Sequence, residues 1–147
     1  MAQLDLVSAL RGLMAYASVV TPNLSEAASL LNCAPARTDD EWQAQGQQLL
    51  QMGARAVLLK GGHLPGANAV DWLMVPGQPT LSLSKPWVAT RNNHGTGCTL
   101  ASFLAQGHGL AESAERAKAY LHQALSHASQ WSLGQGPGPV DHAFCLR

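Results

Sequence analysis

The sequence predicts an α/β domain with a partly parallel sheet. Segments with helical apolar spacing alternate with short apolar runs along the 147 residues, an order typical of α/β folds. Residues 56–60 (AVLLK) form an apolar run without alternation, as in strands that are covered on both faces. Polar segments follow several runs, and ligands of such sheets bind beyond the carboxyl ends of the strands.

The composition indicates one folded domain. The length allows a sizeable core, and the 46 % of apolar residues argues against disorder. Charged residues make up only 12 %, about half of the usual share of roughly 25 %, so we expect part of the surface to be covered. Nine basic residues balance nine acidic ones without a basic cluster, which disfavours nucleic-acid binding.

The cysteines and the first residues indicate the cellular compartment in which the protein is expected. Cys33, Cys98 and Cys145 lie far apart and form no C-x-x-C pair, so neither a disulfide framework nor a zinc site is indicated. A reducing cytoplasm is the expected location. Asp5 and Arg11 interrupt the first apolar pattern, which argues against a signal peptide or a membrane span.

The first elements follow from apolar spacing. Residues 4–15 predict a helix because apolar side chains recur at helical intervals, namely Leu6, Leu10, Leu13 and Met14. Residues 18–21 (SVVT) predict a short strand that Pro22 ends.

Capping signals predict the next two helices. Asn23 precedes Glu26 by three positions, and Thr38 precedes Glu41 by three, which is the capping-box spacing at helix N-termini. Gly53 is the expected end of the third helix. The strand at 56–60 then ends at Gly61-Gly62.

Residues 69–75 and 79–90 predict a pair of strands around a turn at 76–79. Pro86 places the second of them at an edge or a break of the sheet. A helix to about Gln106 and a long helix over 111–132 complete the prediction, with an irregular tail at 134–140.

The loop at 93–100 (NHGTGCTL) is the first candidate site. Its glycines let the backbone bend tightly and approach a ligand. If a helix begins there, its unpaired N–H groups and its dipole form an anion site. Such a site beside Cys98, an activatable base, suggests group transfer from a phosphate donor. Residues 21–26 and 60–63 are expected at the same edge of the sheet.

Three motifs resemble the hydroxymethylpyrimidine/phosphomethylpyrimidine kinases of thiamine biosynthesis, which belong to the ribokinase-like superfamily. They are 21–27 (TPNLSEA), 59–64 (LKGGHL) and 94–100 (HGTGCTL), and 136–142 (GPGPVDH) resembles the family's C-terminus. The resemblance implies a ribokinase-like three-layer α/β/α fold with a mostly parallel sheet. Residues 1–147 would be the C-terminal part of a single kinase domain whose N-terminal half is absent.

The resemblance also implies an ATP-dependent kinase that uses Mg²⁺ and acts on 4-amino-5-hydroxymethyl-2-methylpyrimidine and its monophosphate. In the family, the transferring phosphoryl group lies in an anion hole that corresponds here to Gly95, Thr96 and Gly97. Cys98 would activate the substrate hydroxyl, a role that only requires a positioned proton acceptor.

Three further residues are implied on the phosphate side. Asn23 and Glu26 match residues near magnesium and the phosphates, with Glu26 acting largely through metal-bound water. Lys60 matches the family's phosphate-side lysine and would offset developing charge. From the residues alone, Asn23 and Glu26 would be interpreted as a capping box, and Lys60 would be interpreted as a solvated lysine. His63 and His94 flank the site and are interpreted as surface residues.

One further departure from the family and two alternatives remain. The helix after Leu100 is shorter than in relatives by about one turn, which nearly preserves its apolar face. A homodimer is expected from the family, although part of its interface would belong to the absent half. A pyridoxal-type kinase is the enzymatic alternative, disfavoured by Thr99-Leu100 after Cys98. A non-catalytic nucleotide-binding remnant is the other alternative.

Overall fold

The computed structural model of the protein describes residues 2–61 and 67–146, with side chains from residue 6 onward. Its elements are the helices α1 (Ala2–Met14), α2 (Leu24–Leu31) and α3 (Asp39–Gln51), the strands β1 (Val57–Gly61), β2 (Asn68–Met74) and β3 (Leu81–Pro86), the helices α4 (Thr96–Leu104) and α5 (Leu110–Ala128), and a 3₁₀ turn at Phe144–Leu146. The chain divides into two compact units, residues 1–82 and 83–147. The predicted α/β class is confirmed.

The second and third helices begin at the predicted caps. Asn23 Oδ1 accepts from the N–H of Glu26 at 2.9 Å, and Glu26 Oε2 accepts from the N–H of Asn23 at 2.8 Å, which completes the predicted capping box. Thr38 Oγ1 accepts from the N–H of Glu41, whose own carboxylate accepts from the N–H of Arg37. The second capping box is therefore only half formed.

Strand β1 is the buried strand that its apolar run predicted. Val57, Leu58 and Leu59 are at most 1 % exposed, and the sheet order is β1-β2-β3. The pairing of β1 with β2 is antiparallel, whereas Val20 and Asn23 bridge β1 in parallel. Parallel neighbours need a crossover of about a dozen residues or more, and only residues 62–67 connect β1 with β2.

The predicted strand at 18–21 is reduced to isolated parallel bridges with β1. Val20 bridges Val57, and Asn23 bridges Lys60. The N–H of Leu58 donates to the carbonyl of Val20 at 2.8 Å, and the N–H of Lys60 donates to the carbonyl of Pro22 at 2.9 Å. Pro22 has no N–H to return, so the ladder cannot continue through it.

The core of the first unit lies between these segments and the helices. Trp42 and Leu49 of α3 are fully buried, and ten buried residues form the cluster: Met14, Leu24, Ala27, Ala36, Trp42, Leu49, Ala54, Val57, Leu59 and Met74. Helix α1 exists as predicted, but only Met14 of its apolar spacing is buried. The others are exposed at 45–60 %, namely Leu6, Leu10 and Leu13.

In the second unit α4 packs against α5. The buried face of α5 consists of small residues, namely Ser113, Ala114, Ala117, Ala124 and Ala128, and the rings of Phe103 and Tyr120 are 5.2 Å apart. Helix α5 ends at Ala128, before the predicted Ser132, because Asn92 Nδ2 donates to the carbonyls of Ala128 and Trp131 at 2.6 and 3.0 Å. Within residues 2–61 and 67–146, no helix is long and apolar enough to cross a membrane.

Candidate functional site

The first unit brings together three of the predicted site residues. The parallel bridge between Asn23 and Lys60 places the N-terminus of α2 beside the end of β1. Lys60 Nζ donates to the carbonyl of Thr21 at 2.6 Å and lies 3.6 Å from Glu26 Oε2. The side chains of Lys60 and Glu26 are 27 % and 56 % exposed, so both charged groups remain accessible.

The end of β1 is shaped by a close approach of backbone to an aromatic ring. A Cβ at Gly61 would lie 1.7 Å from Trp42 Cη2 and 2.1 Å from the carbonyl oxygen of Val70, so only glycine fits. The N–H of Gly61 donates to Asp71 Oδ1 at 2.9 Å, which gives this carboxylate a structural role. The predictions for Gly62 and His63 lie outside the described residues.

An open pocket of ≈ 480 Å³ borders the capping box. Its polar wall includes Thr21, Asn23 and Glu26, and its apolar wall includes Leu10 and Val20. The capping-box side chains are therefore reachable from solvent while they hold the start of α2. Both suggested roles of Asn23 and Glu26, as caps and as ligand contacts, are geometrically compatible.

The residues present fit magnesium only in the form in which kinases hold it. The described part of the chain contains no group of three or more His, Cys, Asp or Glu residues that could form a protein cage for a metal. Magnesium usually keeps several waters and takes one or two carboxylates together with substrate phosphates. A single accessible carboxylate, Glu26, suits that arrangement.

In the second unit the predicted loop opens a helix. Gly95 has φ = 93° and is the N-cap of α4, which has no side-chain cap. A Cβ at Gly95 or Gly97 would meet nothing within 4 Å, so the first turn faces open space. Thr96 occupies the first helical position, and Cys98 follows in the first turn and is exposed. First-turn N–H groups without a side-chain cap can bind an anion, although that of Thr96 also donates to the carbonyl of Asn93 in a long contact of 3.5 Å.

The C-terminal segment supports this loop. The N–H of His94 donates to the carbonyl of Gly138 at 2.9 Å, and the N–H of Val140 donates to the carbonyl of His94 at 3.2 Å. Gly138 approaches so closely that a Cβ there would lie 2.0 Å from Asn92 Oδ1. The sequence string 136–142 was noticed only as a resemblance, without an assigned role for its residues.

Side-chain contacts extend this support. Thr99 Oγ1 donates to the carbonyl of Gly95 at 2.9 Å and lies 3.5 Å from His142 Nε2. His142 Nδ1 lies 3.1 Å from the hydroxyl of Tyr120. Burial raises the pKa of Tyr120, and the negative charges of Cys145 and Asp141 raise this pKa further. Sequence spacing gave no signal for these contacts, because the three side chains are far apart in the chain.

The predicted residues thus fall into two groups. Asn23, Glu26 and Lys60 lie together in the first unit, and Gly95, Thr96, Gly97 and Cys98 open α4 in the second. The individual roles of these residues in catalysis stay predictions.

Comparison with known proteins identifies the family. The family model described as phosphomethylpyrimidine kinase matches residues 1–141. A hydroxymethylpyrimidine/phosphomethylpyrimidine kinase of Salmonella typhimurium is 46 % identical over 134 residues, which are 88 % of this chain and 50 % of that protein. The enzyme of the same name from Rhizobium meliloti is 47 % identical, over 94 % of this chain and 53 % of that protein. The chain spans about half the length of these curated relatives.

Solved structures agree on the fold. Bacillus subtilis pyridoxal kinase, in a complex with ADP, superposes with a TM-score of 0.86 at 30 % identity, over 97 % of this chain and 56 % of that one. Staphylococcus aureus pyridoxal kinase, in complex with AMP-PCP and pyridoxal, gives 0.86 at 31 %, over 96 % of this chain and 54 % of that one. The fold is ribokinase-like, as the resemblance implied, and the chain belongs to the phosphomethylpyrimidine kinase family.

Proposed function

We propose that this chain supplies the phosphate-handling part of an ATP-dependent kinase of thiamine biosynthesis. Its substrate is 4-amino-5-hydroxymethyl-2-methylpyrimidine, and then the resulting monophosphate. The observation that carries the proposal is the bridge between Asn23 and Lys60, which gathers an amide, a carboxylate and an ammonium at the carboxyl end of β1. The substrate follows from the names of the relatives at 46 % and 47 % identity.

Phosphoryl transfer requires little covalent chemistry from the protein itself. In phosphoryl transfer, catalysis consists mainly of positioning and of electrostatic stabilisation. The substrate hydroxyl gives its proton to the thiolate form of Cys98 while its oxygen attacks the γ-phosphorus of ATP, and the bond from that phosphorus to the β-phosphate oxygen breaks to release ADP. The N–H groups of Gly95, Thr96 and Gly97 stabilise the moving phosphoryl oxygens.

The residues of the first unit act on the nucleotide side. The Lys60 ammonium, held by the carbonyl of Thr21, offsets phosphate charge. Asn23 and Glu26 would contact the phosphate side, and Glu26 would hold Mg²⁺ largely through metal-bound water. Magnesium, when bound, would neutralise charge on the phosphates. A homodimer in the cytoplasm is part of the same proposal and is tested by light scattering and by cell fractionation.

A pyridoxal-type kinase is the second candidate, because the pyridoxal kinases of two organisms superpose with a TM-score of 0.86. Their identity of 30–31 % is well below the 46 % and 47 % of the pyrimidine kinases. The sequence relationship therefore favours the pyrimidine substrate.

Acceptor-dependent release of ADP tests the proposal. The purified chain is incubated with ATP and Mg²⁺ and with the hydroxymethylpyrimidine, with pyridoxal, or without an acceptor. Release that depends on the pyrimidine supports the proposal, and release that depends on pyridoxal supports the second candidate. Nucleotide binding without turnover on either acceptor favours a nucleotide-binding remnant. Absence of both binding and turnover contradicts the proposal for this chain.

Cys98→Ala separates chemistry from binding. Loss of a positioned base lowers turnover by at least about a hundredfold, whereas ADP affinity stays unchanged. Cys33→Ala, which removes another exposed thiol, is the matched control and leaves turnover as it was. Unchanged turnover in Cys98→Ala would remove Cys98 from the mechanism.

A further inference from the structure

A chain of side-chain contacts connects the loop before α4 to the C-terminal segment. It joins the motifs at 94–100 and 136–142, and the family resemblance assigned no role to these contacts. The chain runs from the carbonyl of Gly95 to Thr99, then to His142 and then to Tyr120. All four residues lie in the second unit. Thr99 is 8 % exposed, so its hydroxyl has few alternative partners in water.

Donor and acceptor rules indicate the direction of these contacts. The carbonyl of Gly95 can only accept, so the single hydroxyl proton of Thr99 points at it. Thr99 Oγ1 then accepts from His142 when Nε2 of a neutral imidazole carries the proton, which leaves Nδ1 as an acceptor for the hydroxyl of Tyr120 at 3.1 Å. The same hydroxyl also lies 3.5 Å from the carbonyl oxygen of His142, so the Nε2–H tautomer is part of the inference.

Tyr120 is suited to the donor end of this chain. Its ring lies 5.2 Å from those of Phe103 and Phe144, which holds the hydroxyl in place. A tyrosine phenol is protonated at physiological pH even at its ordinary pKa of about 10, so the hydroxyl can donate.

The backbone makes the same connection independently. His94, next to Gly95, exchanges two hydrogen bonds with the segment at Gly138 and Val140. The N–H of Asp141 donates to the carbonyl of Ala124 in α5 at 3.2 Å, and Asp141 Oδ1 accepts from the N–H of Ala143. The segment thus ties the start of α4 to the body of α5.

We propose that His142 is a positioning residue for the loop at Gly95–Cys98: acting through Thr99, it orients the Gly95 carbonyl and thereby the first-turn N–H groups of α4. Gly95 has φ = 93°, a conformation that glycine adopts readily because it has no Cβ. Its carbonyl accepts the helical hydrogen bond from the N–H of Thr99 at 2.9 Å, and the Thr99 hydroxyl adds a second hydrogen bond to the same oxygen, which the contact with His142 supports. The consequence for phosphate binding rests on the proposed function, whereas the hydrogen-bond chain does not.

One ¹⁵N-labelled sample tests the proposal at about pH 8, where an unperturbed histidine is neutral. The imidazole nitrogen shifts of His142 are expected to show the Nε2–H tautomer. The exchange rate of the Thr99 amide, which donates to the carbonyl of Gly95, is compared with that of Ser113, which donates to the carbonyl of Gly109. These two amides hold the same position in α4 and α5 of the second unit, so Ser113 reports a general loss of stability in that unit.

His142→Ala is expected to accelerate Thr99 exchange about fivefold relative to Ser113 and to weaken ADP binding by a similar factor, the effect of about one hydrogen bond. His142→Gln keeps a donor for Thr99 and restores both values. His108→Ala is the matched control, because His108 contacts the exposed side chains of Glu112 and Arg116. It leaves both values unchanged. If His142→Ala folds poorly, Thr99→Val against Thr99→Ser tests the same link.

The outcomes separate this inference from the proposed function. An Nδ1–H tautomer, unchanged Thr99 exchange in His142→Ala, or a His142→Gln variant that behaves like His142→Ala overturns the positioning role. Failure of the unmodified chain to bind ADP would count against the proposed function alone, because the tautomer and the exchange rates still decide the role of His142.

Discussion

The ammonium of Lys60 lies 3.6 Å from the carboxylate of Glu26, across the junction between β1 and α2. As an ion pair this contact contributes little to stability, because both side chains are partly exposed and exposed pairs are worth at most about 1 kcal/mol. The contact instead positions the ammonium: Glu26 and the carbonyl of Thr21 together keep the positive charge of Lys60 at the carboxyl end of β1.

Lys60→Met is expected to weaken ATP binding by about tenfold to a hundredfold, the loss of one charge-assisted hydrogen bond, with little change in unfolding free energy. Isothermal titration calorimetry measures the affinity. Lys85→Met, which removes the same charge from β3, is the control and retains affinity. Equal affinities in the two variants would show that Lys60 does not contact the nucleotide.

Gly61→Ala is expected to destabilise the chain by about 2–4 kcal/mol, because the added methyl meets the buried Trp42 ring and the Val70 carbonyl and overpacking forces the core to shift. Urea unfolding followed by tryptophan fluorescence gives the value. Gly12→Ala in α1, where a Cβ meets nothing within 4 Å, stabilises by up to about 1 kcal/mol through helix propensity. A neutral Gly61→Ala would contradict the close approach.

Asn23→Ala is expected to cost about 1 kcal/mol of stability because it removes the side-chain acceptor for the N–H of Glu26. Asn23→Ser retains an acceptor and most of the stability. Circular dichroism with urea measures both. If Asn23→Ser is as unstable as Asn23→Ala, the capping hydrogen bond to the N–H of Glu26 is not the source of the stability that Asn23 contributes.

The raised pKa of Tyr120 predicts that the folded chain loses stability at high pH. Its folded pKa lies above the unfolded value of 10.0, so the folded state binds the proton more tightly. The stabilisation is complete below about pH 10 and disappears as the pH rises through the folded pKa. The difference in unfolding free energy between the unmodified chain and Tyr120→Phe should therefore narrow above about pH 10. Tyr16→Phe, at a residue that is 80 % exposed, should show no such change, and a constant difference for Tyr120→Phe would contradict the shift.

Much of the local structure was predictable because its causes are local. The Asn23–Glu26 capping box and the stop at Gly53, which has φ = 105°, are decided by residues within a few positions of one another. The buried strand β1 followed from its unbroken apolar run. The sequence prediction gave β2 no direction relative to β1, although the short connection at 62–67 already excluded a parallel crossover.

Contacts between distant segments were not predictable in the same way. Apolar spacing predicted helix α1, but it did not predict that Leu6 and Leu13 would be 60 % exposed. The spacing shows which side chains share a face of the helix, but it does not show which segment packs against that face. The end of α5 at Ala128 depends on the Asn92 amide, which lies 36 positions away in sequence. The contact of Thr99 with His142 has a separation of 43 positions.

The sequence by itself determined the α/β class, the helix starts, the buried strand and, through three short motifs, the family. Periodicity, capping and glycine chemistry act over a few residues, so one chain suffices to show them. Only the tertiary structure decided that Lys60 lies beside Glu26, that Gly61 is fixed by Trp42, and that His142 reaches Thr99. These contacts depend on how the segments pack in space, which spacing along the chain does not specify.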